Sequence, residues 1–252
     1  MTASSEILFG RDSTVAPIGV IAMNSVTELG KKIDDYLVDW AGKGGVNVDT
    51  FLVESECPRF SSGDSKGLIK STVRGKDLFI ILDVGNYNVK YDYFGKENSM
   101  SPDDHFQDLK RIIQAASGKA HRVNVIMPIL YGGRQHRRSY RESLDCACAL
   151  QELEAMGVSN IVTFDAHDPR VQNAVPLMGF DNVMPTYQVL KAMFRDIKDI
   201  DFTKEKFMVV SPDEGALNRN MYYASVLGVD MGMFYKRRDS VSYTHLRAHE
   251  TR

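Results

Sequence analysis

Asp165, His167 and Asp168 follow directly after a short run of β-forming residues, in the segment IVTFDAHDPRVQ. Residues 161–164 are typical of a buried strand, and the next loop crowds two carboxylates and an imidazole together. Carboxylates hold magnesium and imidazoles are common metal ligands, so residues of these types at a strand end favour a metal or phosphate site. A solvated turn or a helix cap is the alternative interpretation.

Three other predicted strands also end in strongly polar loops. YGGRQHRRSYR follows RVNVIMPIL, SPDEGALNR follows EKFMVV, and YKRRD follows MGMF. Ligands of parallel α/β sheets bind at the carboxyl ends of the strands, so we expect these loops to meet there. Arg and Lys bind phosphate oxygens, carboxylates hold magnesium, and the turn SPDEGA could offer backbone N–H groups to an anion. Together the four loops predict polyphosphate chemistry, although RQHRR alone could be a solvated turn and Asp213 an N-cap.

Short β-rich runs that alternate with amphipathic stretches must position these loops. This alternation predicts an α/β fold with parallel strands. In the first helix, residues 25–41, an apolar stripe is expected at Val26, Leu29, Ile33, Leu37 and Trp40. The predicted strands are 19–22, 48–53, 77–82, 122–130, 160–164, 206–210 and 232–235, and the other predicted helices are 102–116, 140–156, 187–197 and 216–227. The polar, aromatic segment 85–101 is predicted to be an inserted loop or hairpin.

Composition narrows the classes of partner. The chain has 252 residues, a net charge of −2 and 43% hydrophobic residues, which predicts no nucleic-acid or membrane partner. Its three cysteines are too few for a disulfide framework, no apolar run approaches the roughly 18 residues of a membrane span, and the start lacks signal-peptide features. We therefore expect a cytoplasmic protein. Residues 242–252 show no apolar periodicity, and we interpret them as a non-native tail.

The order of the motifs resembles the ribose-phosphate pyrophosphokinase (PRPP synthetase) family over residues 18–241. RFSSGDSKGLIKSTVRGKDLFII is similar to that family's Phe-Ser-Asn/Asp-Gly-Glu loop and the strand that follows it. YGGRQHRR resembles Y-A-R-Q-D-R/K, and FDAHDPRVQ resembles D-L-H-A-x-Q-I-Q-G-F-F. SPDEGALNR resembles S-P-D-x-G-G-x-x-R, and YKRRD resembles the K-x-R of the flexible catalytic loop. Five matches in the family's order make the resemblance specific.

This resemblance implies transfer of the diphosphoryl group of Mg-ATP to ribose 5-phosphate, giving PRPP and AMP for nucleotide biosynthesis. It also implies a homo-oligomer, often a hexamer, in which the adenine-binding loop reaches into a neighbouring subunit. Carried over by position, the implied metal residues are His167, Asp213, Asp165 and Asp181, with Mg²⁺ as the cofactor. The implied ATP-binding residues are Phe60, Ser62, Asp64, Arg134 and Gln135. The implied catalytic residues are Lys236 and Arg238, which would stabilise charge on the transferring group.

The family resemblance also predicts the domain organisation. Residues 1–185 would form an N-terminal phosphoribosyltransferase-like domain, and residues 186–241 part of a second such domain that is incomplete in this chain. The ribose 5-phosphate loop of the family has no counterpart here, so we expect the chain as given to be inactive in the full reaction. A helix-capping role suits Asp168, because the family has a small or neutral residue there.

Several departures from the family pattern motivate other hypotheses. His136 replaces the family's Asp after Arg-Gln, Ser62 replaces Asn or Asp, Asp64 replaces Glu, and the segment 83–99 is longer than usual. An apparent one-residue insertion weakens the assignment of Asp181. A catalytically silent regulatory or nucleotide-sensing subunit is therefore one alternative. A magnesium-dependent phosphohydrolase that uses DAHD and SPDE is another.

Overall fold

The computed structural model describes residues 15–198, 201–234, 236–239 and 242–246, and for the last two ranges it describes the backbone only. The chain divides into two compact units, Met1–Met184 and Pro185–Arg252. Parallel strands and helices occur in each unit, so the predicted α/β class is confirmed. No helix in the part of the chain that the structure describes is long and apolar enough to cross a bilayer.

One parallel sheet organises the first unit. Its strands are the first, fourth, seventh, eighth and ninth along the chain, in that spatial order, and every neighbouring pair is parallel. Because all five strands point the same way, the loops at their carboxyl ends share one edge of the sheet. The strands of this unit are β1 (Ile18–Ala22), β2 (Ser55–Glu56), β3 (Leu68–Ile69), β4 (Asp77–Ile81), β5 (Lys90–Tyr93), β6 (Lys96–Ser99), β7 (Arg122–Ile126), β8 (Val158–Phe164) and β9 (Gly179–Val183).

Near-continuous apolar runs in β1, β4, β7 and β8 form the core. Ile21, Leu78 and Ile161 are fully buried because helices cover the sheet, and each such side chain contributes about 1.5–3 kcal/mol relative to exposure. Asp77 is buried at the start of β4, where its carboxylate accepts hydrogen bonds from Arg122 Nε (2.9 Å) and Asn124 Nδ2 (2.7 Å). These bonds satisfy the buried charge and fix β4 against β7.

The second helix of this unit occupies the predicted residues. It begins with a capping box, in which Ser101 Oγ accepts from the N–H of Asp104 and the Asp104 carboxylate accepts from the N–H of Ser101. Pro102 stands in the first turn, where no N–H is required. The helices are α1 (Thr27–Lys43), α2 (Pro102–Ala116) and α3 (Asp145–Ala155), and a 3-10 turn, Asn24–Val26, precedes α1.

The buried face of α1 differs from the predicted apolar stripe. Leu29 and Trp40 are exposed, whereas Gly30, Asp34 and Ala41 are buried. Asp34 belongs to the inner face because its carboxylate accepts hydrogen bonds at 2.7 Å from Thr50 Oγ1 and from the N–H of Phe51. The buried face of α1 therefore includes the hydrogen-bonded Asp34, and part of the predicted apolar stripe is exposed to solvent.

Several predicted boundaries are wrong for identifiable reasons. The strand expected at 48–53 reduces to one isolated bridge between Val20 and Leu52, because Asp34 binds this segment through its side chain. The strand expected at 122–130 ends at Ile126, since Pro128 lacks an N–H for the ladder. Strand β9 was not predicted, because GFDNV is an edge strand with too few apolar residues.

The helix expected at 140–156 begins only at Asp145. The residues before it belong to the loop after β7, where the Glu142 carboxylate accepts from the N–H of Ser139 at 3.3 Å. The N–H of Cys146, in the first turn of α3, donates to the carbonyl of Gln135 at 3.4 Å. The start of α3 is thus tied to the polar loop, which keeps residues 140–144 out of the helix.

Two antiparallel pairs stand apart from the main sheet. Strands β5 and β6 form a hairpin, as predicted for the segment 85–101, and pair Lys90 with Ser99 through Tyr93 with Lys96. Strands β2 and β3 pair Ser55 with Ile69 and Glu56 with Leu68. The second pair brackets the loop that contains the RFSSGDS motif.

The second unit contains a short parallel pair. Strands β10 and β11 are parallel and are joined by a helix, with ends within two residues of the predicted strands 206–210 and 232–235. The predicted helix 187–197 is displaced by one residue at both ends, and the predicted helix 216–227 begins one residue later and ends as predicted. Residues 242–246 of the segment interpreted as a tail pair antiparallel with residues 236–239, while 247–252 lie outside the described residues. The elements are α4 (Thr186–Asp196), β10 (Met208–Ser211), α5 (Leu217–Leu227), β11 (Asp230–Met233), β12 (Lys236–Asp239) and β13 (Ser242–Leu246).

Candidate functional site

The loop after β8 carries the first group of candidate residues. Asp165 adopts a left-handed backbone conformation, with φ of 49°, which is uncommon outside glycine and costs about 1 kcal/mol or more. Two bonds to the end of β9 hold it: the N–H of Asp165 donates to the carbonyl of Val183 (3.0 Å), and the N–H of Ala166 donates to Asn182 Oδ1 (2.9 Å). The neighbouring strand therefore imposes the turn that presents this loop at the sheet edge.

His136 links the loop after β7 to the loop after β8. Its Nδ1 atom lies 3.1 Å from Asp168 Oδ2, and its ring meets the ring of His167 edge to face, with 5.2 Å between centroids. The sequence identified His136 only as a departure from the family pattern. Its contact with Asp168 was missed, because the two residues are 32 positions apart and neither motif indicates the pairing.

Asp168 caps a short 3-10 helix, Pro169–Ala174, as its sequence position suggested. Its carboxylate accepts from the N–H of Arg170 at 3.0 Å and forms a two-point ion pair with the Arg170 guanidinium. These bonds, aided by His136, hold the pKa of Asp168 well below its ordinary range, although burial opposes them. Asp168 is therefore a fixed anion that orients His136 rather than an open ligand.

The cationic loop after β7 is anchored at Tyr131 and at Gln135, whose carbonyl accepts from the N–H of Cys146. Tyr131 stacks on Phe106 of α2, with 4.2 Å between ring centroids, and its hydroxyl donates to Asp103 at 2.8 Å. Burial and then Asp103 raise the pKa of Tyr131 to about 12, so this hydroxyl remains a donor. Between the anchors, the N–H of Gln135 donates to the carbonyl of Gly132 (2.7 Å) in a tight turn. The turn leaves a set of side chains exposed: Arg134, Gln135, Arg137 and Arg138.

The RFSSGDS motif forms a compact loop, residues 59–65, which we call the aromatic loop. Backbone bonds run from the N–H of Phe60 to the carbonyl of Asp64 (2.7 Å) and from the N–H of Gly63 to the carbonyl of Phe60 (2.9 Å). Ser62 Oγ donates to the Asp64 carboxylate at 3.0 Å. The ring of Phe60 is 54% exposed at the tip, so it is free of the core and accessible to a ligand.

A buried charge cluster holds the aromatic loop in place. Arg59 pairs with Asp108 of α2 at 3.2 Å, lies 3.6 Å from Asp104, and donates to the carbonyl of Gly63 at 3.2 Å. Asp108 also binds Arg111 at 2.6 Å, so its carboxylate is neutralised from two sides. Sequence reasoning did not identify Arg59, although it directly precedes Phe60.

The remaining predicted site residues lie elsewhere in the described parts of the chain. Asp181 is inside β9, where its carboxylate accepts from Asn160 Nδ2 at 2.7 Å, rather than in a loop. Asp213, in the second unit, caps the 3-10 turn Glu214–Ala216 by accepting from the N–H of Ala216 at 3.1 Å. Lys236 and Arg238 lie on β12, and their side chains fall outside the described residues.

The candidate metal residues do not form a closed metal-binding cluster among the described residues. Among the described residues, no group of three or more His, Cys, Asp or Glu side chains could hold a metal ion. Magnesium in phosphoryl-transfer sites commonly takes one or two carboxylates and completes its octahedron with water and substrate phosphates. The loop after β8 offers the Asp165 carboxylate beside His167, and this donor set fits such sparse coordination rather than a closed protein cage.

The arrangement within the first unit favours binding of an anion together with a cation. An acidic loop and an Arg-rich loop meet at the carboxyl edge of a parallel sheet through the contact between His136 and Asp168. Exposed guanidinium groups bind phosphate oxygens. A carboxylate in the adjacent loop can bind a divalent cation that the same phosphate oxygens also coordinate. The exposed ring of the aromatic loop adds a surface of the type on which nucleobases stack.

Comparisons with known proteins identify the family to which this fold and sequence are similar. Residues 18–157 match the family model for the N-terminal domain of ribose phosphate pyrophosphokinase. Curated ribose-phosphate pyrophosphokinases from Fusobacterium nucleatum and Chlorobaculum tepidum are 28% and 26% identical to the chain, and each alignment covers 88% of it. A crystal structure of phosphoribosylpyrophosphate synthetase from Mycobacterium smegmatis superposes with a TM-score of 0.69 at 19% identity, covering 88% of this chain and 65% of that one.

The extent of the match also matters. The alignments cover 61% of the Fusobacterium protein and 59% of the Chlorobaculum protein, so the chain spans about 60% of the length of these relatives. The family model matches more than half of the chain, and the matched residues include β1, β4, β7, the aromatic loop and the cationic loop after β7. The chain therefore belongs to the ribose-phosphate pyrophosphokinase family, a family of kinase-type transferases, and contains its N-terminal domain.

Proposed function

We propose that this chain is the nucleotide-binding part of a ribose-phosphate diphosphokinase. The reaction transfers the β,γ-diphosphoryl group of Mg-ATP to the 1-hydroxyl of ribose 5-phosphate, and it yields PRPP for nucleotide biosynthesis and AMP. One observation carries the proposal: the acidic loop after β8 and the cationic loop after β7 meet through His136 and Asp168. A polyphosphate with a bound divalent cation suits this pair of loops, because the cation can bind the acidic loop while the phosphate oxygens bind the guanidinium groups of the cationic loop.

The residues of the first unit take complementary roles in this proposal. Arg134 donates forked hydrogen bonds to the ATP phosphates, and Gln135 contacts ATP beside it. Phe60 offers its exposed ring to the adenine, and Ser62 and Asp64 supply polar contacts around the base. The pairing of Asp64 with Ser62 keeps both side chains at the tip of the aromatic loop.

Asp165 and His167 are the metal-associated residues of the first unit, with Asp181 and Asp213 as further candidates. Bound Mg²⁺ would supply neutralisation of the charge on the β- and γ-phosphates. The buried anion Asp168 fixes His136 beside His167, which restrains the loop that carries Asp165. This restraint lowers the ordering cost of metal binding.

Lys236 and Arg238 complete the proposal as the residues that stabilise negative charge on the transferring diphosphoryl group. Residues 1–185 and 186–241 are proposed as two phosphoribosyltransferase-like domains, the second of them partial. The protein is proposed to be a cytoplasmic homo-oligomer, a hexamer by family resemblance. A net charge of −2 gives no global positive potential that would favour nucleic acid or membrane as a partner.

A product assay tests the proposed reaction. Because the chain spans about 60% of its relatives' length, we would assay both the chain and a chimaera. In the chimaera, the segment after residue 239 is replaced by the corresponding remainder of the Fusobacterium relative. Phosphorus NMR would follow Mg-ATP with and without ribose 5-phosphate. We expect the chimaera to form AMP and PRPP only when the sugar phosphate is present, and the chain alone to form neither.

Other outcomes separate the alternatives. Release of ADP and phosphate without the sugar would support the phosphohydrolase. A chimaera that binds Mg-ATP and turns over nothing would support the nucleotide-sensing subunit. An Arg134→Ala chimaera tests the proposed phosphate contact, and its rate should fall by about 100-fold, since it lacks the guanidinium that we propose binds the phosphates.

A further inference from the structure

The hairpin β5–β6 packs along the aromatic loop. The N–H of Phe94, at the hairpin tip, donates to the carbonyl of Ser61 at 3.2 Å. The Arg59 guanidinium lies 4.4 Å from the centroid of the Tyr91 ring, a cation–π contact. The aromatic loop and the hairpin are therefore joined through both backbone and side-chain contacts, and they form one structural unit.

Gly63 marks the closest approach of the two segments. A methyl group on its α-carbon would lie 2.8 Å from Tyr93 Cδ2, and its φ is +89°. The ring of Tyr93 is thus packed directly on the loop backbone at a point where only glycine leaves room. This contact places the hairpin tip beside the residues that surround Phe60.

The hairpin tip has an unusual residue for its turn. Phe94 and Gly95 are the two central residues between the paired Tyr93 and Lys96, with φ values of 48° and 73°. Turns of this kind favour Asn-Gly or Asp-Gly, because both central residues are left-handed, and a bulky aromatic residue is disfavoured at the first position. The Phe94 ring gains little burial in return, since it is 70% exposed; it forms an edge-to-face contact with the ring of Tyr93, at 4.8 Å between centroids.

We propose that Phe94 is a further base-contacting residue of the nucleotide site, presented beside Phe60 by the contacts between hairpin and loop. The inference rests on the proposed nucleotide-binding role of the aromatic loop. The Phe94 backbone is bonded to Ser61, the residue next to Phe60, and both phenyl rings are more than half exposed. Two exposed rings on adjoining backbones form a wider stacking surface for a purine base than Phe60 forms alone. The cost of Phe94 in a left-handed turn is consistent with a functional position.

The substitution Phe94→Asn separates binding from folding. Asparagine is favoured at this turn position, so the variant should keep or raise the melting temperature while it removes the ring. Tyr87→Asn is the matched control, because Tyr87 is 72% exposed and makes none of the hairpin–loop contacts described above. Phe60→Ala tests the aromatic loop itself. Each variant of the 252-residue chain would be titrated calorimetrically with ATP and with GTP in excess Mg²⁺.

We expect Phe94→Asn to weaken ATP binding by about fivefold or more, the lower end of what loss of a stacking ring costs, without lowering the melting temperature. GTP binding should weaken by a similar factor, since stacking is tolerant of the base, and Tyr87→Asn should bind as the parent does. If Phe60→Ala weakens binding and Phe94→Asn does not, the loop assignment survives and this inference is overturned. If the parent chain binds no ATP, or if Phe60→Ala binds as tightly as the parent, the proposed nucleotide loop is wrong and the inference falls with it.

Discussion

The loop after β8 and the aromatic loop are held in place by different kinds of contact. The first continues a strand of the sheet, and backbone bonds to β9 and the cap formed by Asp168 fix it. The second is not continuous with a strand of the main sheet and depends on Arg59, whose partner Asp108 is 49 positions away and buried. The sheet therefore positions the first loop, whereas one charged side chain positions the second.

The largest expected effect follows from removing that side chain. Arg59→Ala leaves the buried Asp108 carboxylate with Arg111 as its remaining cation among the pairs described, and frees the aromatic loop from α2. We expect a loss of about 2–3 kcal/mol in the free energy of unfolding, below the 3–5 kcal/mol typical of a broken buried pair because Arg111 stays. Urea denaturation measures the change.

Lys90→Ala provides the control for this substitution. Lys90 pairs with Glu97 at 2.6 Å on the exposed side of the hairpin, and such surface pairs contribute about 0–1 kcal/mol. Equal losses for Arg59→Ala and Lys90→Ala would contradict the view that a buried cluster carries the aromatic loop.

A smaller effect is expected where the hairpin touches the aromatic loop. Gly63→Ala introduces a methyl group that contacts Tyr93, at a position with left-handed backbone. Gly75→Ala introduces a methyl group at a similar backbone conformation, with φ of 70°, but no atom lies within 4 Å of it. Both substitutions incur the backbone cost of about 1–2 kcal/mol, and only Gly63→Ala must also displace a ring. Thermal unfolding should show Gly63→Ala as the less stable variant by about 1 kcal/mol. Equal melting temperatures would mean that the hairpin does not press on the loop.

The smallest expected effect concerns Asp168 in the loop after β8. Asp168→Asn keeps a capping oxygen but loses the ion pair with Arg170, so we expect a loss of about 1 kcal/mol at pH 7. Because the folded pKa of Asp168 is lowered, its stabilising contribution is complete above its unfolded pKa of about 3.9 and is lost as pH falls through the folded value. The difference between parent and variant should therefore shrink as the pH falls below about 4. A difference that keeps growing below about pH 4 would contradict this assignment.

The sequence predicted the sheet better than the side-chain geometry of the site. Buried parallel strands are continuous apolar runs, so β1, β4, β7 and β8 were recognisable, whereas β9 at the edge was not. Polar residues at strand ends identified the loops after β7 and β8 because chain direction alone places them at one edge. The left-handed Asp165 and the pairing of His136 with Asp168 arise from tertiary contacts that no local pattern encodes.

Two of the predicted metal residues show that a match to a motif does not establish what a side chain contacts. Asp181 and Asp213 match the family motifs by position, yet each accepts a local hydrogen bond, from Asn160 and from the N–H of Ala216 respectively. The presence of an Asp in a motif does not show whether its carboxylate caps a turn or binds a ligand. Arg59 shows the converse, since its role depends entirely on the folded position of α2.

The proposed Mg-ATP site can be tested by titrating the 252-residue chain with ATP in the presence and absence of Mg²⁺. We expect saturable binding that weakens by about tenfold or more when Mg²⁺ is omitted, because the loop after β8 is proposed to share the metal with the phosphates. For the same reason, the His167→Ala variant should bind Mg-ATP more weakly than the parent. Binding that is indifferent to Mg²⁺ and to His167, or no binding at all, would contradict the proposed site.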